Sequence, residues 1–178
     1  MPYSETPSRV VTGRLSGIAT RPAKRAAMVV ASAAEILANA GVSGDFGRKR
    51  GKRQVTVLSA QAWRDACDTL GAALPWTMRR ANLFVDGVPL SPQAGARLVI
   101  GGVILEVTGE TDPCKRMDAQ HMGLTRALTP QARGGVTCRV IAAGKIAVGD
   151  EVRWQPAVAG KEKQPDLFAG LNEQRVAS

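Results

Sequence analysis

The stretch Asn82–Val107 reads NLFVDGVPLSPQAGARLVIGGVILEV, and its punctuation decides the fold class. RLVI at 97–100 and VILEV at 103–107 are apolar, β-branched runs separated by Gly101–Gly102, which predicts a hairpin. NLFV and VPLS flank Asp86–Gly87 in the same way and predict a second hairpin, with Pro89 confined to an edge. Upstream, RVVTGRLSGIAT at 9–20, AAMVV at 26–30 and QVTVLS at 54–59 read as further strands. Downstream, VTCRVIA at 136–142 and KIAVGDEVRW at 145–154 read as a final strand pair around Gly144.

Helical signals are few. Ser59 is placed to cap AQAWRDACDTLG, in which Trp63, Cys67 and Leu70 share a face and Gly71 ends the helix. Ser32 followed by Glu35 is a capping box that predicts a short helix over 33–40, with Gly41 in the C′ position. LTRAL at 124–128 predicts one or two turns before Pro130. Seven to nine strands against two or three short helices, with no βαβ rhythm, make a mainly β, barrel-like single domain over 9–155. Residues 1–8 read as a loose leader and 156–178 as a polar C-terminal tail with one apolar patch at Leu167–Phe168.

The 178 residues carry 24 Lys and Arg against 15 Asp and Glu, a net charge of +9. Residues 1–60 hold ten of the basic side chains and three of the acidic ones, so the excess lies mostly in the first third. Such a field attracts anions from phosphate to nucleic acid. Aromatics are only 4% of the chain, which argues against the stacking surfaces that nucleic-acid binding uses. Three cysteines without a CxxC pair exclude a complete disulfide set and leave no zinc motif. Reduced thiols, no signal-like apolar segment and no membrane-length apolar run predict a cytoplasmic location.

Cys114 is the sharpest chemical candidate. It lies in GETDPCKRMD, where Lys115 and Arg116 favour a thiolate and Asp112 and Asp118 oppose it. A loop thiol in that setting could bind a soft metal, carry a persulfide or attack an electrophile, or be an ordinary loop cysteine. Cys67 and Cys138 fall in apolar patterns and read as core. His121 reads as a local hydrogen-bonding residue. Arg79, Arg80 and Asn82 offer forked donors and an amide before a strand, suited to a phosphate or carboxylate or to a solvated turn. Arg21, Lys24 and Arg25 form a second basic group. The run VSGDFGRKRGKRQ at 42–54 has no nucleotide-loop spacing, although Gly44–Asp45 sets a sharp turn whose Asp could orient an arginine.

Taken in order, these segments resemble one family. Arg21-Pro22-Ala23-Lys24-Arg25, Gly44-Asp45, the run from Arg53 to Ser59, Arg80-Ala81-Asn82, Asp112 to Met117, Arg133 to Val136 and Val148 to Val152 together resemble the MOSC domain of molybdenum cofactor sulfurases and stand-alone bacterial proteins. The resemblance spans roughly 9–155. It implies a β-rich barrel and a role in binding the molybdenum cofactor (molybdopterin) or a sulfurated precursor. Cys114 matches the family cysteine, which implies a catalytic thiol that ligates molybdenum or holds sulfur. Arg21, Lys24, Asp45, Arg80, Asn82 and Arg133 match motifs that imply contact with the cofactor, the basic ones at its anionic end. Phe46 follows the Gly–Asp turn where the family often has a basic residue or His.

The function implied is sulfur transfer or reduction of N-hydroxylated small molecules. Either needs a partner, a sulfur-donor or an electron-transfer protein, because no flavin, haem or iron–sulfur motif is present. No lysine context suggests pyridoxal phosphate. A non-catalytic anion- or nucleic-acid-binding barrel and a structural domain, with homodimerisation left open, are the competing classes.

Overall fold

Seven strands close on one another in the computed structural model, which describes residues 10–47 and 50–158. The elements run β1 (Val11–Thr20), β2 (Val29–Ala31), β3 (Ala33–Leu37), β4 (Gly41–Val42), β5 (Val55–Ser59), α1 (Ala60–Leu70), β6 (Leu83–Asp86), β7 (Arg97–Ile100), β8 (Val103–Glu110), α2 (Arg116–Gln120), α3 (Leu124–Leu128), β9 (Val136–Ala142), β10 (Gly144–Ala147) and β11 (Glu151–Gln155). Short 3₁₀ turns stand at Trp76–Arg79 and Pro130–Ala132. The main sheet has the order β11-β7-β8-β9-β5-β6-β1-β2, and β11 also pairs with β1. That closure leaves β2 as a spur on β1, while β10, β3 and β4 form a separate small sheet. The chain is mainly β and barrel-like, as its strand-rich punctuation predicts.

Alternation along β5 explains how one barrel carries two cores. Val55 and Val57 enter the interior with Leu15, Leu83, Val85, Leu98, Leu105 and Cys138. Leu58 points outward and seats Trp63 and Ala66 of α1, Met117, Leu124 and Leu128. Removing any of the large interior side chains would cost about 2–5 kcal/mol by lost transfer and cavity formation. Ser59 Oγ accepts from the Ala62 N–H at 3.3 Å, and Gly71 ends α1 in the left-handed region, as the local signals predict. The β7–β8 hairpin turns at Gly101–Gly102 with Ile100 opposite Val103.

Three expectations are corrected. Residues 33–37 are strand, not helix: Glu35 pairs with Lys145 of β10, and Ile36 reaches the barrel core. Ladder pairing and burial of Ile36 outweigh the capping-box signal and alanine propensity. Asp86–Gly87 makes a turn, but no hairpin follows. β6 runs antiparallel to β1 and parallel to β5, and 88–91 contains no strand. Pro89 cannot donate to a ladder, and the Leu90 N–H turns back to Val88 O at 3.1 Å. The expected final pair is also split. The Asp150 carboxylate accepts from the Ala147 N–H at 2.9 Å, and Gly149 at φ +97° completes a tight turn. Residues 144–147 then join β3, while 151–155 pair with β7 and β1. The leader and nearly all of the expected tail lie outside the described residues.

Candidate functional site

The parallel pair β5 and β6 brings two sequence-distant arginine motifs to one end of the barrel. Val57 stands opposite Leu83, so the residues that precede each strand emerge side by side. Asn82 fixes this end. Its Oδ1 accepts from the Thr56 N–H and Oγ1, each at 3.1 Å, and its Nδ2 donates to Ala19 O at 3.3 Å. Buried Asn82 therefore ties β1, β5 and β6 together where a pocket of about 330 Å³ opens.

Arginines dominate that pocket. Arg21 comes from the end of β1, Arg53 and Arg80 from before β5 and β6, and Arg116 from the start of α2. Gln54, Thr56 and Asn82 line its floor, and Met28 supplies an apolar wall. Among the described residues Asp45 is its one carboxylate. It is buried, and its Oδ1 accepts from the Arg21 backbone N–H at 2.7 Å. The Phe46 N–H donates to Arg21 O at 2.7 Å, so the 43–47 turn is pinned to the end of β1 from both sides. Gly47 leaves room for the guanidinium: a Cβ there would stand 2.5 Å from an Arg21 Nη and 2.8 Å from Asp45 Oδ2.

The electrostatics of the pocket favour an anion. Burial first, then Arg21 and Arg116, push the Arg80 guanidinium below its usual value, against the opposing pull of Asp45. Among the described residues, Arg21 Nε is buried without a hydrogen-bond partner. Clustered cations with one carboxylate and an orphaned donor are what a phosphate ester would satisfy. A cavity of this size matches the lower range of small-molecule sites.

The remaining predicted residues stand elsewhere. Cys114 is exposed in the loop before α2, two positions ahead of pocket-lining Arg116. Its carbonyl accepts from the Met117 N–H at 2.8 Å and Thr125 Oγ1 at 3.1 Å, which anchors the loop to α2 and α3. Lys24 is exposed on the turn after β1 and does not line the pocket. Arg133 turns towards the helices, with Nη1 donating to Thr69 Oγ1 and Ala127 O, both at 3.2 Å. Arg79 is buried, and its guanidinium bonds two backbone carbonyls. Asp112 is exposed beside it. Cys138 is fully buried, and burial pushes its thiol well above the usual range; Cys67 is half-buried at a second, more apolar cavity under Leu74. His121 Nδ1 stands 3.0 Å from Met122 O, a local contact.

Local sequence patterns do not mark Arg53, Gln54, Thr56 or Arg116 as site residues. The signal for Arg53 was its position just before a strand, as with Arg80, but only the parallel pairing shows that the two share an end. Among the described residues no three His, Cys, Asp or Glu side chains group to hold a metal ion, and no helix is long and apolar enough to cross a membrane.

The chain is thus a seven-stranded β-barrel domain with an arginine-lined pocket at one end and an exposed cysteine in the loop before α2. The chain matches the MOSC domain model over residues 30–153 and belongs to that family, which is associated with molybdenum cofactor binding. Among solved structures, the YuaD protein from Bacillus subtilis is similar at TM-score 0.73 and 19% identity, over 84% of this chain and 99% of that one. YiiM from Escherichia coli is similar at TM-score 0.60 and 15% identity, over 83% of this chain and 72% of that one. YiiM from Geobacillus stearothermophilus is similar at TM-score 0.60 and 13% identity, over 83% and 77%. At these identities the likeness is one of fold. No curated protein matches the chain by sequence.

Proposed function

We propose that this protein binds the molybdenum cofactor, holding its phosphate among Arg21, Arg53, Arg80 and Arg116 and using Cys114 as its reactive thiol. The observation that carries the reading is the four-arginine pocket containing one buried carboxylate. Arg21 and Arg80 are half-buried, so an anion between them is partly shielded from water, where charge-assisted hydrogen bonds gain strength. Asp45 keeps Arg21 in place through its backbone rather than by consuming its guanidinium.

Cys114 meets solvent and follows Pro113 in a loop tied to α2 and α3, so its thiol is accessible while its backbone is held. When bound, the cofactor would supply redox or sulfur-transfer chemistry at molybdenum. The Cys114 thiol would hold the metal or would carry the sulfur. A sulfur-donor or electron-transfer protein is the partner this reading requires.

The test is metal, pterin and persulfide analysis of protein purified from a host that makes the cofactor. Wild-type protein is expected to retain pterin with molybdenum or with sulfane sulfur on Cys114. Arg80→Ala should lose pterin roughly 10- to 100-fold, the scale of a hydrogen bond to a charged group. Cys114→Ser should keep pterin and lose the metal or the sulfur. Wild-type protein repeatedly free of pterin would overturn the reading.

A further inference from the structure

Phe46 is 55% exposed on a turn whose backbone is fixed. Its neighbours on both sides, Asp45 and Gly47, line the arginine pocket. Its ring lies 5.9 Å from the Arg21 guanidinium, within the range of a cation–π contact. An aromatic side chain buried in either core would have an ordinary explanation. This one is outside both cores and stands over a cation of an anion-binding pocket. A planar ring beside clustered guanidinium groups is the pairing that receives a flat heteroaromatic group joined to a phosphate: the ring stacks and the phosphate enters the cations.

We infer that Phe46 is a stacking platform that makes the pocket selective for phosphate esters of flat heteroaromatic rings over other anions. This rests on the pocket reading above and assigns a role within it. Phe46 does not touch the anion. It acts on the part of the ligand that projects out of the arginine cluster. The shared chemistry could come from a pterin phosphate or from a nucleotide, and binding separates the two.

The experiment is calorimetric titration of the full chain with neopterin monophosphate, GMP and inorganic phosphate. Wild-type protein is expected to bind at least one of the ring-bearing esters at least about fivefold more tightly than inorganic phosphate, the lower end of stacking on one aromatic side chain. Preference for neopterin monophosphate identifies a pterin, and preference for GMP identifies a nucleotide. Phe46→Ala should erase that advantage while leaving inorganic phosphate binding within about twofold, and Phe46→Trp should preserve it. If Phe46 served only to pack on Arg21, Phe46→Ala would weaken all three ligands alike, and the inference would fall. It would also fall if wild-type protein showed no ring advantage, or if the advantage survived Phe46→Ala. Phosphate binding that is lost in Arg80→Ala would in those cases leave the pocket reading standing. No binding of any of the three by wild-type protein would overturn both.

Discussion

Arg79 donates through Nη2 to the carbonyl of Thr111 at 2.8 Å, and this bond reaches from the turn before β6 to the loop that carries Cys114. Its Nε donates to Gly134 O at 2.7 Å, and the Thr111 N–H in turn donates to Gly135 O at 2.9 Å. The guanidinium thus joins the entrance of the cysteine loop to the start of β9. Burial lowers the pKa of Arg79 from its usual value, and the nearby Cys114 and Asp112 act in the opposite direction.

Arg79→Met leaves two buried carbonyls short of a donor, and a loss of about 2–4 kcal/mol in unfolding free energy is expected by urea denaturation. Arg79→Lys should recover little of it, because one ammonium cannot span both carbonyls in the fork geometry. A readout closer to the loop is thiol labelling of the native state. Cys114 should label first, Cys67 slowly and Cys138 only on unfolding, since they are exposed, half-buried and buried in that order. In Arg79→Met the Cys114 rate should change while the order persists. An unchanged Cys114 rate in a folded variant would show that Arg79 does not hold that loop.

Glu106 on β8 stands between Arg97 of β7 and Arg139 of β9, its register neighbours on either side. Arg139 Nη2 lies 2.6 Å from Oε1 and Arg97 Nη2 lies 3.2 Å from Oε2. Burial works to raise this carboxyl, but the hydrogen bonds from Arg139 and Arg97 outweigh it and hold the group below the usual carboxylate range. Because the folded pKa lies below the unfolded one, the cluster stabilises the protein fully above the ordinary carboxylate pKa. That contribution is lost as the pH falls through the folded value. Glu106→Gln should therefore cost about 1 kcal/mol or less at neutral pH, and the gap from wild type should close in acid. Parallel urea unfolding curves for the two proteins at several pH values measure it. A gap that is constant with pH would assign Glu106 a packing role instead.

The parts of this fold that were legible in the sequence are those specified by neighbours along the chain. Ser59, Gly71 and the Trp63–Cys67–Leu70 face define α1 within one segment, and Gly101–Gly102 defines the β7–β8 hairpin. Residues 33–37 are illegible locally because their longer partner, β10, lies far along the chain, β4 offers only a two-residue pairing, and the local capping pattern points to a helix. The same limit applied to the pocket. Arg21, Asp45, Arg80 and Asn82 lie in the motifs that carry the family resemblance, and all four line one pocket. Arg53 and Arg116 join them only through the parallel β5–β6 pairing and the position of α2. Arg133 sat in an equally suggestive motif, yet its side chain bonds Thr69 of α1 and Ala127 of α3.

Gly47 lets Arg21 and Asp45 share the pocket wall, which yields two substitutions with opposite expected effects on anion affinity. In Gly47→Ala the new methyl would stand 2.5 Å from an Arg21 Nη, so the guanidinium must swing away from the site. Inorganic phosphate should then bind roughly tenfold more weakly, since one charge-assisted contact is lost. Gly47 has an ordinary φ, so the fold itself should be retained. Asp45→Asn keeps an oxygen to accept from the Arg21 N–H but removes the carboxylate that, among the described residues, acts on Arg80. Phosphate should then bind several-fold more tightly at low salt, with the gain shrinking as ionic strength rises, because the change is in charge rather than shape. Calorimetric titration of both variants across a salt series tests the pair. Weaker binding in Asp45→Asn would mean that the carboxylate serves the anion site chiefly by fixing the turn that holds Arg21.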